Sequence, residues 1–155
     1  MAIEAERKFL VRGKGWRQQG PSCIRQGYLN RHKNRTVRVR VAGNRAFLAV
    51  KGLTRGASRD EFEYEIPAGD AEQILLLCEG PLIEKHRHLV DHAGARWEID
   101  EFFGANLGLV VAEVELENVD QRLDLPGWIG TEVTHDERYF NSNLSTRPFN
   151  TWHKP

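Results

Sequence analysis

The sequence has little of several features that mark special classes of protein. Its 155 residues include only two cysteines, Cys23 and Cys78, and neither belongs to a metal-binding or redox motif. The net charge at pH 7 is zero, because 22 basic residues balance 22 acidic ones, whereas nucleic-acid binders usually have a basic surplus. No apolar run approaches the roughly 18 residues that cross a bilayer as a helix. These absences argue against a disulfide scaffold, a general nucleic-acid binder and a helical membrane protein.

The N-terminus and the length favour one domain in a reducing compartment. The first residues, Met1 to Glu6, turn acidic at once and lack the basic region and the apolar stretch of a signal peptide. We therefore expect a cytoplasmic protein whose partners include neither membrane nor nucleic acid. A length of 155 residues predicts a single domain spanning residues 1–155.

Alternation of polar and apolar residues is the dominant pattern along the chain. Between Thr36 and Val41, Arg38 and Arg40 face one way and the intervening valines face the other. Comparable alternation predicts strands at residues 3–11, 22–29, 36–41, 46–51, 61–66, 82–90, 96–103 and 109–117. Helical spacing and capping residues predict helices at residues 70–79, 121–125 and 136–144. Many strands joined by short hairpins predict a mainly β fold (α+β), an antiparallel barrel or sandwich.

Charged residues on these strands are largely sorted by sign, and most occur in pairs that project from one face of a strand. The acidic positions are Glu4, Glu6, Glu61, Glu63, Glu98, Asp100, Glu113 and Glu115. The basic positions are Lys8, Arg38, Arg40, Lys51, Lys85 and Arg87. One interpretation is the solvent face of a one-sided sheet. Neighbouring like charges repel, however, and a closed barrel with these faces inward would place opposite charges between them.

The balance of these charges indicates the kind of ligand. Eight acids and six bases would give the lumen a net charge of −2. Two Mg²⁺ ions, which bind through one or two carboxylates and substrate phosphates, would change that charge to about +2. The pattern predicts a metal-dependent site for a short, multiply charged anion such as a triphosphate.

The segment Glu4-x-Glu6-x-Lys8 resembles the ExExK signature of the CYTH superfamily, the triphosphate tunnel metalloenzymes. The later charged pairs follow in the family's order and extend this resemblance over almost the whole chain. It implies a closed eight-stranded antiparallel β-barrel, a tunnel with a charged lumen and with helices packed outside.

The resemblance also implies roles for the charged residues. The cofactor would be Mg²⁺ or Mn²⁺, and its ligands would be Glu4, Glu6, Glu113 and Glu115. Phosphate would be bound by Lys8, Arg38, Arg40, Lys51, Lys85 and Arg87. The remaining acids would orient these bases, bind a second metal or position water, and they are Glu61, Glu63, Glu98 and Asp100.

The tail from Glu132 to Ser145 resembles that of short bacterial inorganic triphosphatases. This implies divalent-metal-dependent hydrolysis of tripolyphosphate to pyrophosphate and phosphate. Lys85 or Glu63 could activate the attacking water, and the sequence does not choose between them. The alternatives are a class IV-type adenylyl cyclase, a thiamine triphosphatase and a non-catalytic polyphosphate-binding module. The family often forms homodimers, but no stripe of residues identifies an interface here.

Overall fold

The computed structural model describes residues 3–152 and consists mainly of β-strands. The strands are β1 (Ile3–Val11), β2 (Ser22–Asn30), β3 (Arg35–Ala42), β4 (Arg45–Gly52), β5 (Ser58–Ile66), β6 (Ile83–His92), β7 (Ala95–Phe102), β8 (Val110–Glu115) and β9 (Ile129–Glu132). The α-helices are α1 (Ala68–Leu75) and α2 (Asn141–Leu144), and short 3₁₀ turns lie at Gly104–Asn106, Glu137–Tyr139 and Phe149–Thr151. None of the helices in this described part is long and apolar enough to cross a membrane.

The sheet closes into a barrel because β1 pairs with strands on both of its edges. On one edge, the stretch Glu6–Leu10 pairs with β8. On the other edge, Ile3–Ala5 pairs with β5, and Phe9 and Val11 pair with β9. The ring β1–β5–β4–β3–β2–β6–β7–β8 is antiparallel throughout, so the predicted closed barrel of eight strands is confirmed, with β9 as one additional strand.

Two of the predicted local elements differ from the structure. Residues 121–125 form no helix, because Leu123 packs in an extended segment against an apolar cluster on the barrel. The stretch predicted as a helix at residues 136–144 is divided between a 3₁₀ turn and the single turn of α2. The pattern analysis also missed β9, whose four residues are too few to show a clear alternation.

The outward faces of the strands are apolar and are covered in two places. Helix α1 covers Val39 and Val41 through its buried residues Ala71 and Leu75, as predicted for a helix outside the barrel. A second outer cluster is covered by loops that carry Trp16 and Trp128, and its strand residues are Phe9, Trp97, Ile99, Ala112 and Val114. These outer clusters leave the inward faces free for charged side chains.

The C-terminal segment fills one end of the barrel. At that end the inward-facing positions of four strands are apolar, and they are Leu10, Ile83, Phe102 and Val111. These side chains pack with Val133, Tyr139 and Leu144 of the segment that follows β9. The interior is therefore a charged cavity above an apolar floor.

Candidate active site

The predicted charged residues converge on one cavity inside the barrel. The cavity has a volume of about 210 Å³, smaller than the roughly 300–1,000 Å³ of pockets for drug-sized ligands. The predicted site residues that line it are Glu4, Glu6, Lys8, Arg38, Arg40, Lys51, Glu61, Glu63, Lys85, Arg87, Glu98, Glu113 and Glu115. Asp100 does not line it, but it lies directly behind two residues that do. Small size and dense charge fit a small ion better than a large organic ligand.

The strand register brings the carboxylates together on the β1–β8 side of the cavity. Glu115 lies opposite Glu6, and Glu113 lies between Lys8 on β1 and Glu98 on β7. Glu115 has no ion-pair partner among residues 3–152. Burial and then the nearby carboxylates, Glu4 first among them, raise the pKa of Glu115. The repulsion that raises this pKa would be relieved by a cation.

Two of the candidate metal ligands are held by lysines. Glu4 Oε2 lies 3.2 Å from Lys51 Nζ, and Glu6 Oε1 lies 2.9 Å from Lys8 Nζ. Burial opposes charge on Lys8, but Glu113 and Glu6 outweigh it and raise the pKa of Lys8 above its usual range. Within the described residues, no three metal-binding side chains are already gathered around one point.

The donor set nevertheless fits a hard divalent cation. All of the acidic groups offer carboxylate oxygens, which Mg²⁺ and Mn²⁺ prefer over sulfur or imidazole ligands. Glu115 has no ion-pair partner in the described part of the chain and lies among like charges, so a cation there would be stabilised. A metal would compete with Lys51 for Glu4 and with Lys8 for Glu6. An incoming phosphate would give these lysines another anion to bind.

The basic residues on the opposite side of the cavity are partly neutralised. Arg38 Nη2 lies 3.0 Å from Glu63 Oε2, and Lys51 Nζ lies 2.9 Å from Glu61 Oε2. The Nε–H of Arg38 is buried and has no hydrogen-bond partner in the described part of the chain. Burial, and then Arg38, lower the pKa of Lys51 despite its two carboxylate neighbours. Keeping these side chains positively charged inside the cavity is therefore energetically unfavourable. A bound anion would reduce this electrostatic cost.

Arg40 has no carboxylate partner within the described residues. Its Nε–H donates to Oε1 of Gln26 at 2.8 Å, a neutral acceptor that leaves the positive charge uncompensated. Burial, followed by repulsion from Arg38 and Arg87, lowers the pKa of Arg40. A buried guanidinium without a counter-ion is costly unless an anion joins it.

Lys85 and Arg87 line the cavity and form a buried ionic group with Asp100 behind them. Lys85 Nζ lies 2.8 Å from Asp100 Oδ2, and Arg87 donates to both Asp100 oxygens at 2.8 and 2.9 Å. Burial lowers the pKa of Lys85 to about 7, although Asp100 opposes this shift. Burial alone would raise the pKa of Asp100, but Arg87 and Lys85 hold it well below its usual range. Asp100 thus orients the two bases, while Glu98 holds Arg87 from the cavity side at 3.1 Å.

Several lining residues were not predicted as site residues from the sequence. They are Tyr28, Thr36, Thr54, Arg59, Thr134, Phe140, Asn141 and Ser142. Arg59 lies 3.6 Å from Glu4, and the hydroxyl of Thr134 accepts from the backbone N–H of Lys8 at 3.0 Å. Tyr28 continues the inward alternation of β2, and this signal was available in the sequence. The tail residues carry no charge pattern, and only their packing against the barrel reveals them.

Comparisons with known proteins agree with this architecture. The CYTH domain profile matches residues 2–147. The chain is 48% identical to an inorganic triphosphatase of Acetivibrio thermocellus, over 96% of this chain and 97% of that protein. It is 36% identical to an inorganic triphosphatase of Nitrosomonas europaea, over 92% of this chain and 96% of that protein.

A solved structure supports the same assignment. A crystal structure of an inorganic triphosphatase superimposes with a TM-score of 0.66 and 32% identity, covering 91% of this chain and 96% of the other. The match extends over the barrel, and the charged pairs predicted from the sequence face its interior. The chain belongs to the CYTH domain family.

Proposed function

We propose that the protein is a divalent-metal-dependent hydrolase that converts inorganic triphosphate to pyrophosphate and phosphate inside the barrel. The observation that carries this proposal is Arg40, a guanidinium in the cavity that donates to a neutral amide and has no carboxylate partner within residues 3–152. The cavity holds more positive charge on this side than its own acids neutralise. The two relatives named inorganic triphosphatase, one of them 48% identical, support the same substrate.

Metal binding is assigned to the acidic side of the cavity. Glu4, Glu6, Glu113 and Glu115 would hold Mg²⁺ or Mn²⁺, with Glu61 and Glu98 close enough along the strands to assist. A divalent cation there supplies charge neutralisation to phosphate oxygens and polarises them. Among the described residues no base is paired with Glu115, so this carboxylate is available as a ligand.

Phosphate binding is assigned to the basic side. Arg38, Arg40 and Arg87 present guanidinium groups, which match phosphate oxygens as two-point donors. The remaining phosphate binders are Lys8, Lys51 and Lys85. Such fixed cations stabilise the charge that builds up on the leaving pyrophosphate as the terminal phosphoryl group departs.

Lys85 is our candidate for the group that activates water. Lys85 lines the cavity, and two of its Nζ–H groups donate to Asp100 at 2.8 Å and to Asn141 at 2.9 Å, which leaves its third position without a hydrogen-bond partner within residues 3–152. With a pKa of about 7, the amine is neutral in a substantial fraction of molecules and can accept a proton from water. Glu63, the other candidate from the sequence, is engaged by Arg38 and is better suited to orienting it.

We also propose that the enzyme is located in the cytoplasm. Cys23 and Cys78 are both free, as expected in the cytoplasm, where thiols stay reduced. We propose one functional domain, since strands from the whole described range contribute to a single cavity.

A phosphate-release assay tests the function. We expect phosphate from tripolyphosphate only with Mg²⁺ or Mn²⁺, loss of release with a chelator, and loss in a folded Arg40→Ala protein. ATP and thiamine triphosphate in parallel assays, with a measurement of cyclic AMP, test the alternative substrates and cyclisation. Full activity in the presence of chelator, or cyclic AMP as the main product, would overturn the proposal.

A further inference from the structure

Two side-chain amides link the basic side of the cavity to the tail. Gln26 is fully buried on β2, and Asn141 begins α2 in the segment that closes the barrel. Gln26 Nε2 donates to Asn141 Oδ1 at 3.1 Å, although the two residues are 115 positions apart. At its other end Gln26 accepts from Arg40, and Asn141 accepts from Lys85. The chain of contacts runs Arg40–Gln26–Asn141–Lys85.

The groups at the two ends of this chain fix the orientation of both amides. Arg40 Nε can only donate, so the Gln26 atom beside it must be the carbonyl oxygen. The amide nitrogen of Gln26 then faces Tyr28 Oη at 3.3 Å and Asn141 at 3.1 Å. Because this nitrogen can only donate, Asn141 must turn its oxygen towards Gln26, and the same oxygen accepts from Lys85 Nζ. Flipping either amide would place donors against donors.

The consequence for Asn141 is a free donor in the cavity. Its oxygen receives both Gln26 and Lys85, and its Nδ2 group has no hydrogen-bond partner within residues 3–152. Asn141 lines the cavity, so this NH₂ group is available to an anion there. A phosphate oxygen is the acceptor that the surrounding charges favour.

Neutral amides suit this position better than carboxylates would. A carboxylate at either position would form an ion pair with Arg40 or Lys85 and would cancel positive charge that an anion needs. An amide holds each base in place by a hydrogen bond and leaves its charge unchanged. Lys85 already has Asp100 as its counter-ion, so a second carboxylate in place of Asn141 would remove the remaining positive character of this side.

We propose that Gln26 and Asn141 form an amide relay that positions Arg40 and Lys85 towards one phosphate group, and that Asn141 Nδ2 itself binds an oxygen of that phosphate. This rests on the proposed triphosphatase function. Gln26 is a positioning residue, and Asn141 is both a positioning and a substrate-binding residue. The relay makes the C-terminal segment part of the active site as well as the floor of the barrel.

Steady-state kinetics with tripolyphosphate and saturating Mn²⁺ test the relay through Gln26→Leu, Asn141→Ala and the double variant. Each single change should lower kcat/KM about 10- to 100-fold, the loss expected for a hydrogen bond to a charged group. For Gln26→Leu the loss should lie mainly in KM, because Arg40 is misplaced rather than removed. Since the residues act as one unit, the double variant should lose little more than the worse single variant. Losses that multiply would refute the relay.

A control on the same helix separates this role from simple loosening of the tail. Asn143 is exposed and anchors α2 by donating from Nδ2 to the backbone oxygen of Glu137 at 2.7 Å, away from the cavity. Asn143→Ala should keep the wild-type KM. An equal rise of KM in Asn143→Ala and Asn141→Ala would show that only tail stability matters and would overturn the proposal.

An isosteric change covers the case in which Gln26→Leu fails to fold. Gln26→Glu keeps the shape and the acceptor for Arg40, but its carboxylate cannot donate to Asn141 and neutralises Arg40. It should fold and should raise KM for tripolyphosphate at least as much as Gln26→Leu. An unchanged KM would refute the relay.

Turnover by the wild-type protein decides the proposed function separately. If the wild type releases no phosphate, calorimetric binding of tripolyphosphate by the same variants still tests the relay. Weaker binding in the Gln26 and Asn141 variants than in Asn143→Ala would support it, and equal binding would refute it.

Discussion

Lys85 and Asp100 form an ion pair at 2.8 Å in which each side chain is only 1% exposed. Such a pair is costly to remove from water, and it is tolerated because Asp100 also receives two hydrogen bonds from Arg87. The pair places an amine of lowered pKa at the cavity wall. Three of our predictions depend on this inner charge pattern, and a fourth depends on the floor beneath it.

The first prediction concerns the pH dependence of turnover. If neutral Lys85 accepts a proton from water, kcat/KM should rise as pH rises through about 7, where its pKa lies. Lys85→Arg, which stays charged, should be slow and should lack this rise. Both proteins use the same substrate, so ionisation of triphosphate itself affects both profiles alike.

An exposed lysine provides the control for this profile. Lys14 lies in an exposed loop outside the cavity, and Lys14→Arg should reproduce the wild-type curve. A wild-type rate that falls through pH 7 would mean that Lys85 acts only as a cation that binds phosphate.

The second prediction concerns stability. Asp100→Asn should lower the free energy of unfolding by about 3 kcal/mol at pH 7, because it leaves Lys85 and Arg87 without their buried counter-ion. The folded pKa of Asp100 is depressed, so its contribution is complete above the unfolded value of about 3.9 and is lost as pH falls towards the lower folded value. Urea unfolding at pH 7 and at pH 3 should therefore show a smaller difference at pH 3.

The surface pair of Asp91 and Arg96 is the matched control. These side chains lie 3.0 Å apart but are largely exposed, and Asp91→Asn should leave stability unchanged. An equal loss in the Asp91 and Asp100 variants would contradict the special role of the buried pair.

The alternating pattern revealed much of the fold and of the site. Val114 faces outward and its neighbours Glu113 and Glu115 face the cavity, as the period of two predicts. The closed barrel was predicted from the family resemblance, but the pairing of β1 with β5 that closes it was not, because alternation alone gives no register between distant strands. Gln26 was not predicted as a site residue because the polarity pattern of the other strands is reversed around it. The apolar Ile24 faces inward, and the charged Arg25 faces outward against α1. Asn141 meets Gln26 only through a tertiary contact, so no local pattern could have identified it.

The third prediction separates metal binding from folding. Glu115→Gln should raise the Mn²⁺ concentration needed for half-maximal activity by at least the tenfold or so that is typical of groups supporting a metal ligand. The same change should not lower the melting temperature without metal, because it removes a carboxylate that its neighbours repel. Activity titrations and thermal unfolding of the metal-free protein measure the two effects.

Glu117 offers a comparison two residues further along the same segment. It is exposed and lies outside the cavity, so Glu117→Gln should keep the wild-type metal requirement. If both variants need the same metal concentration as the wild type, Glu115 is not a ligand.

The fourth prediction concerns the floor of the barrel. Leu144 is 1% exposed and packs with Phe102 and Tyr139, so Leu144→Ala should cost about 2–5 kcal/mol of stability. Leu107 is 64% exposed, and Leu107→Ala should have little effect. Denaturant unfolding measures both, and a Leu144 variant as stable as the wild type would show that the tail does not seal the barrel.

The apolar floor also affects the order in which products leave. Leu10, Phe102 and Tyr139 obstruct that end, so a phosphate chain cannot pass through the barrel. It must enter through the opposite end of the barrel, with one of its own ends first. We therefore expect both fragments to leave by the route along which the substrate arrived, the fragment nearer the opening first. The inner fragment can leave only after the outer one. A high concentration of the outer fragment in solution should therefore lower the turnover rate by blocking release of the inner fragment.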